Sequence, residues 1–237
     1  MTARGYLKSV IYTAPECCDD FPFHLPALSN LNELIFDQPI TFFVGENGTG
    51  KSTIMELLAE LMGMNLEGGS RNQLFSTYEE SNALVEACRP VRYPNHPKDY
   101  YFYRAESFYN LMTDIERTGS TAFEGSLHQF SRGESFYELL SNRFFGKGIY
   151  LLDEPETGLS LSTHLKVMVL LKELADDNAQ FIIATHSPIL LFFPKAKIYE
   201  FTEDGISEKA LEKTKLYQEW AMIFERKNHF FEKLFAE

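Results

Sequence analysis

Apolar residues along this chain fall into short blocks of two kinds. Ile40-Thr41-Phe42-Phe43-Val44, Gly148-Ile149-Tyr150-Leu151-Leu152 and Phe181-Ile182-Ile183-Ala184 are almost unbroken apolar, β-prone runs. The Gly148 run, apolar throughout, suits the middle of a parallel sheet covered on both faces. Tyr6-Leu7-Lys8-Ser9-Val10-Ile11-Tyr12 alternates and predicts a first strand. Tyr100 to Tyr103 and Lys197 to Phe201 predict two more strands, the second closing on an Asp204-Gly205 turn. Between these blocks the period lengthens. Thr53 to Leu61 predicts a helix, as does the stretch after Ser135. Ser160 to Asp177 predicts an amphipathic helix with Leu161, Leu165, Met168, Val169 and Leu171 toward a core face. Leu211 to Phe235, acidic and aromatic, predicts a C-terminal helix. Residues 13–36 carry Pro15, Pro22 and Pro26 and read as a loop leading into an edge strand. Residues 57–143 mix helices with Pro90, Pro94 and Pro97 and form the expected helical lobe. The pattern predicts one α/β domain over residues 1–237, with no internal repeat.

The blocks end in chemistry. After the Ile40 run comes Gly45-Glu46-Asn47-Gly48-Thr49-Gly50-Lys51-Ser52, a complete phosphate-binding loop in its strand–loop–helix context. Glycines let the backbone turn its N–H groups toward phosphate oxygens, and the helix N-terminus adds positive partial charge. Lys51 is placed to reach β- and γ-phosphates, and the Ser52 hydroxyl to ligate Mg²⁺. The Gly148 run ends in Asp153-Glu154-Pro155. There Asp153 would hold Mg²⁺ and Glu154 would polarise an attacking water. The Phe181 run ends in Thr185-His186-Ser187-Pro188, so His186 would face the same crevice and donate to a phosphate or to that water. Ser131-Arg132-Gly133-Glu134 precedes a helical stretch. Tyr12, Phe21 and Phe23 lie upstream of the loop, where one would stack on a base or all would serve as packing.

In this order the motifs resemble those of the ABC-type ATPases, the superfamily of transporter motor domains and of SMC and RecF-like DNA-repair ATPases. Gly45 to Ser52 is similar to Walker A. Ser131 to Glu134 resembles the family signature, Leu151 to Pro155 resembles Walker B with its catalytic Glu, and His186 resembles the switch histidine. The chain is more closely similar to small stand-alone bacterial ATPases of the AAA/ABC type, in phrases such as Phe43 to Gly48, Phe102 to Phe108 and Ala184 to Pro188. The resemblance implies a P-loop NTPase fold, a mixed, largely parallel sheet flanked by helices with a small helical lobe. It implies ATP and Mg²⁺, with Gly45, Glu46, Asn47, Gly48, Thr49, Gly50, Lys51, Ser52 and Thr53 around the nucleotide. Ser131, Arg132, Gly133 and Glu134 would serve the nucleotide of a second copy in a head-to-tail homodimer. Catalysis would fall to Glu154 and His186.

Three departures stand out. Arg132 replaces a signature glycine, altering the approach to a partner's γ-phosphate or adding a guanidinium to it. Ser160 stands where the family's D-loop has Asp. No Gln occupies a Q-loop position; Glu106 is either its equivalent, a third Mg²⁺ residue beside Ser52 and Asp153, or one half of an ion pair with Arg104.

Composition narrows the setting. The chain has 237 residues, enough for one sizeable core, and 21 Phe and 12 Tyr to fill it. A formal charge of −12 argues against a broad electrostatic nucleic-acid footprint, leaving a local patch or a basic partner open. Three cysteines, Cys17, Cys18 and Cys88, give neither a disulfide framework nor a zinc site. No run reaches membrane-spanning length and no signal peptide opens the chain, so a cytoplasmic protein is expected. The output of hydrolysis reads two ways: gating of an unknown partner, in genome maintenance or phage defence, or energy coupling for a membrane transporter. The set Ser131, Glu154 and His186 argues against a third reading, a P-loop kinase.

Overall fold

The computed structural model describes residues 5–15, 21–66, 68–70, 83–106 and 132–236. Among the described residues, ten strands form two sheets. The larger has seven strands in the order β10-β9-β3-β8-β7-β6-β4. Its parallel centre comprises β3 (Ile40–Gly45), β6 (Asp99–Arg104), β7 (Gly148–Asp153), β8 (Gln180–Ala184) and β9 (Lys197–Thr202). Antiparallel β4 (Gly69–Ser70) and β10 (Gly205–Glu208) close its edges. The smaller sheet, order β2-β1-β5, is antiparallel and contains β1 (Leu7–Tyr12), β2 (Glu33–Ile35) and β5 (Cys88–Arg92). The chain therefore has the α/β P-loop NTPase fold, with a mixed, parallel-rich sheet.

Two cores lie on opposite faces of the large sheet, and side-chain alternation assigns residues to each. Phe43, Leu151 and Ile182 point to the face that holds α1 (Lys51–Leu61) and the small sheet. Phe42, Tyr150, Leu152 and Ile183 point to the face that holds α3 (Arg132–Arg143) and α4 (Leu161–Asp176). All six residues of β7 are buried, as its unbroken apolar run requires. Gln180 joins the two sheets: its Oε1 accepts from the N–H groups of Tyr6 and Leu7 at 2.8 and 2.9 Å, and its Nε2 donates to the Leu7 carbonyl at 2.8 Å.

Several expectations change. Leu161, Leu165 and Val169 do not face a core; they are 63%, 53% and 60% exposed. The buried side of α4 is His164, Val167, Leu171, Leu174 and Ala175, because the apolar arc of this helix is wider than the one face it packs. The C-terminal segment is not one helix. Beyond the short α5 (Pro188–Leu191), it breaks at Arg226 into α6 (Lys215–Glu225) and α7 (Lys227–Leu234). Residues 57–143 contribute sheet as well as helix, with α1 running to Leu61 and a short α2 (Ala83–Glu86) preceding β5 and β6. Pro90 is accommodated in β5 because that strand is an edge, paired with β1 alone. The expected edge strand is β2, at one edge of the small sheet; of the loop before it, residues 16–20 lie outside the described residues. Cys88 is a buried free thiol, whereas Cys17 and Cys18 lie outside the described residues.

Candidate functional site

The carboxyl ends of β3, β7 and β8 converge, and each carries polar residues read from the sequence. Gly45 ends β3 with φ 142°, and a Cβ there would lie 2.2 Å from the Phe201 carbonyl oxygen, so glycine is required. Gly50 enters α1 in the left-handed region at φ 98°. Between them Glu46, Asn47 and Gly48 are exposed, while Thr49 is buried and donates its hydroxyl to the Glu46 carbonyl at 2.8 Å. Around Gly48, φ 79°, no heavy atom lies within 4 Å of a Cβ position, leaving open space over the loop. Lys51 is 6% exposed, and its Nζ donates to the carbonyls of Gly45 and Glu46, each at 2.8 Å. Thr53 is half-buried in the first turn of α1.

Asp153 ends β7 and is 8% exposed. The Ser52 hydroxyl lies beside its carboxylate, whose Oδ1 is buried without a hydrogen-bond partner. Burial pushes the Asp153 carboxyl up to about 6, against the opposing pull of the Ser52 hydroxyl and the Arg104 charge. Burial pushes the Lys51 ammonium down, and Glu154, Asp153, Glu156 and Glu46 oppose it.

Glu154 has φ 51°, a left-handed conformation unusual for a residue other than glycine. The other described non-glycine residues at positive φ, Lys147, Asn178 and Lys195, are turn residues. At Glu154 the N–H donates to the Ala184 carbonyl at 2.9 Å, which redirects the chain as β7 ends. Its carboxylate lies 3.7 Å from His186 Nε2, and that nitrogen is buried without a partner.

The structure thus gathers Gly45 to Ser52, Asp153, Glu154 and His186 at one end of the sheet. Glu106 is 87% exposed and forms the ion pair with Arg104 at 3.7 Å, and its charge still reaches Asp153. The side chain that turns inward is Arg104, 18% exposed and bound to Glu56 at 2.7 Å. Ser131 lies outside the described residues, as does the side chain of Arg132, whose backbone with that of Gly133 opens α3. Glu134 is exposed in the first turn of α3. That helix is fixed at its far end, where Arg143 makes a bidentate pair with Asp99 at 2.7 and 2.9 Å. Ser160 N-caps α4, accepting from the Thr163 N–H at 3.2 Å, so at the D-loop departure the hydroxyl serves the helix. Of the upstream aromatics, Tyr12 and Phe23 pack in or against the core and Phe21 is 68% exposed.

Two features were not read from the sequence. Lys215, first residue of α6, hydrogen-bonds Glu46 of the phosphate loop through its side chain and Glu200 through its N–H at 2.5 Å. Lys215, Glu200 and the loop line a cavity of about 680 Å³. Glu156, beyond Glu154, accepts from the His186 N–H. A third carboxylate in Asp153-Glu154-Pro155-Glu156 was its only signal.

The residues fit a magnesium nucleotide on three counts: an orphaned Asp153 oxygen beside a hydroxyl, open space over Gly48, and a lysine held on loop carbonyls. No group of three or more His, Cys, Asp or Glu among the described residues is arranged to hold a metal by itself. Such a sparse donor set suits Mg²⁺, which takes one or two protein oxygens together with substrate phosphates.

Several known families and proteins are similar to this chain. The family described as "AAA domain" matches residues 24–118, and that described as "AAA domain, putative AbiEii toxin, Type IV TA system" matches residues 126–191. The manganese transport system ATP-binding protein MntA of Synechocystis sp. is 24% identical over 180 residues, 68% of this chain and 69% of that protein. ABC transporter G family member 2 of Dictyostelium discoideum is 25% identical over 211 residues, 78% of this chain but only 16% of that protein. Among solved structures, "An inward-facing conformation of a putative metal-chelate type ABC transporter" superposes with a TM-score of 0.52 at 15% identity, covering 93% of this chain and 89% of that one. The matches support an ABC-like ATPase superfamily for this chain.

Proposed function

We propose that the chain binds ATP with Mg²⁺ and hydrolyses it, and that nucleotide draws two copies together head to tail. The observation that carries this is the meeting of Lys51, Ser52 and an orphaned Asp153 oxygen at the end of the sheet, with Glu154 and His186 3.7 Å apart beside them. Lys51 leaves the loop carbonyls for phosphate oxygens, exchanging neutral acceptors for charged ones. Ser52 and Asp153 hold Mg²⁺, which when bound neutralises charge on the phosphates. Glu154 accepts a proton from the water as its oxygen bonds the terminal phosphorus and the bond from that phosphorus to the departing ADP oxygen breaks, and His186 donates a hydrogen bond to the transferred phosphate. Ser131 to Glu134 of a second copy closes over that phosphate, with Arg132 facing it or solvent. Glu106 remains a candidate for a further, outer Mg²⁺ contact.

Two outputs are carried forward. The description of one matching family names a putative toxin, which supports a nucleotide-controlled regulator of a partner such as a toxin. The transport names of the curated relatives favour an energy-coupling subunit, docked to a permease because no described helix is long and apolar enough to cross a membrane. Co-purification from the native host separates a permease from a nuclease or toxin. For the pairing itself, sedimentation of Glu154→Gln with and without ATP–Mg²⁺ is the test. A mass that doubles with ATP, and fails to do so when Ser131→Arg is added, supports it; a mass indifferent to ATP removes it.

A further inference from the structure

Glu156 links the two catalytic candidates physically. Its Oε1 accepts from the backbone N–H of His186 at 2.5 Å, thirty positions along the chain, and its Oε2 is buried without a partner. The turn after β8 is held one N–H at a time. Thr185 N–H donates to the Phe43 carbonyl at 3.0 Å, and Ser187 N–H to the Thr185 hydroxyl at 2.9 Å. Between them, His186 N–H is held by a side chain from the loop that carries Glu154. That loop is ordered in turn: Thr157 N–H donates to the Glu154 carbonyl at 3.2 Å, and Leu159 N–H to the Glu156 carbonyl at 2.9 Å. The loop and the turn are therefore tied twice. Glu154 N–H reaches back to Ala184, and the Glu156 carboxylate reaches across to His186.

A carboxylate on a backbone N–H makes a charge-assisted bond, stiffer than one from an amide or hydroxyl. Glu156 also contributes to the negative field around Lys51. A charged oxygen left buried and unpaired is costly, and its retention here needs a reason beyond folding. The tie fixes where the His186 imidazole hangs relative to Glu154. Errors of about 1 Å in such placements cost catalysis up to about a hundredfold.

We propose that Glu156 is a positioning residue, holding the His186 backbone so that the imidazole stays beside the Glu154 carboxylate. This rests on the hydrolysis reading above and adds no chemical step to it.

A double-mutant cycle tests it: steady-state phosphate release and calorimetric ATP affinity for wild type, Glu156→Ala, Glu156→Gln, His186→Ala and the two combinations. Glu156→Ala lowers kcat about tenfold or more while the ATP Kd stays within about twofold. Glu156→Gln, which keeps an oxygen acceptor without the charge, falls between. His186→Ala retains the N–H but not the imidazole, so in that background either Glu156 change alters kcat less than about twofold. Losses that multiply in both backgrounds, or a Glu156→Ala enzyme of unchanged kcat, overturn the proposal. Should Glu156→Ala not fold, the Gln arm completes the cycle. A wild type that binds and cleaves no ATP overturns the hydrolysis reading and this proposal together; an active wild type with multiplicative losses overturns the role of Glu156 alone.

Discussion

Arg104 stands opposite Asp153 in the β6–β7 register, yet its guanidinium is bound to Glu56 of α1 at 2.7 Å. Glu56 lies one helical turn beyond Ser52, whose hydroxyl lies beside Asp153. Two side chains of α1 thus hold two register partners of the sheet, fixing how the phosphate-loop helix sits on β6 and β7. Arg104→Met is expected to lower stability by about 1–3 kcal/mol because it strands the half-buried Glu56 carboxylate, and Glu56→Gln by less because Arg104 keeps Glu106 and the Leu66 carbonyl. The double variant loses much less than the sum. Urea unfolding of the three variants measures this, and strict additivity would show that the pair does not act as a unit.

Gly45 and Gly48 separate folding from binding within one loop. At Gly45 a Cβ collides with the Phe201 carbonyl at 2.2 Å, so Gly45→Ala destabilises by about 3 kcal/mol or more. At Gly48 only the positive φ is strained, so Gly48→Ala costs about 1–2 kcal/mol. Its methyl group nevertheless enters the space assigned to phosphate and weakens ATP binding. Melting curves with and without ATP–Mg²⁺ check both; loss of the nucleotide-induced shift in Gly48→Ala, without collapse of the fold, is the expected pattern.

Asp153 makes stability depend on pH in the unusual direction. Burial pushes its folded pKa up to about 6, above the ordinary 3.8 of an aspartate, so the folded state binds more protons between those values. Stability from this group is therefore present below about pH 4 and lost as pH rises through 6. Asp153→Asn is expected to be more stable than wild type at pH 8 without Mg²⁺, by up to roughly 3 kcal/mol, with the gain vanishing near pH 4. Chemical denaturation at the two pH values decides it, and equal differences at both would refute the assignment.

The exposed stripe of α4 gives a test of packing. Leu161→Ser, Leu165→Ser and Val169→Ser are expected to change monomer stability by less than about 0.5 kcal/mol each. Leu171→Ala, at a residue 1% exposed, costs about 2–5 kcal/mol. Thermal melts of the four variants distinguish the faces.

The strand–loop–helix at Gly45–Ser52 and the acidic end of β7 were legible because each is a local pattern, a run of one period closed by fixed residue types. The stripe of α4 was not, since Leu161, Leu165 and Val169 share the apolar character of its buried side and periodicity alone cannot say which arc finds a partner. Strand β5 was obscured by Pro90, which reads as a breaker until β5 proves to be an edge. Arg104 with Glu56, and Glu156 with His186, are pairs 48 and 30 positions apart. Only the stacking of strands β6, β7 and β8 brings them together, and no single-sequence pattern encodes that order. The break between α6 and α7 at Arg226 carries no proline or glycine to announce it.

The central claim is that Glu154, placed beside His186 at the end of β7, drives hydrolysis of a nucleotide held by Lys51 and Ser52. Phosphate release by wild type and Glu154→Gln, with ATP affinity measured on the same samples, tests it most directly. The account predicts turnover by wild type, retained ATP binding by Glu154→Gln, and a loss of rate of about 10² or more in that variant. Undiminished phosphate release by Glu154→Gln, or a wild type that binds no ATP, would contradict it.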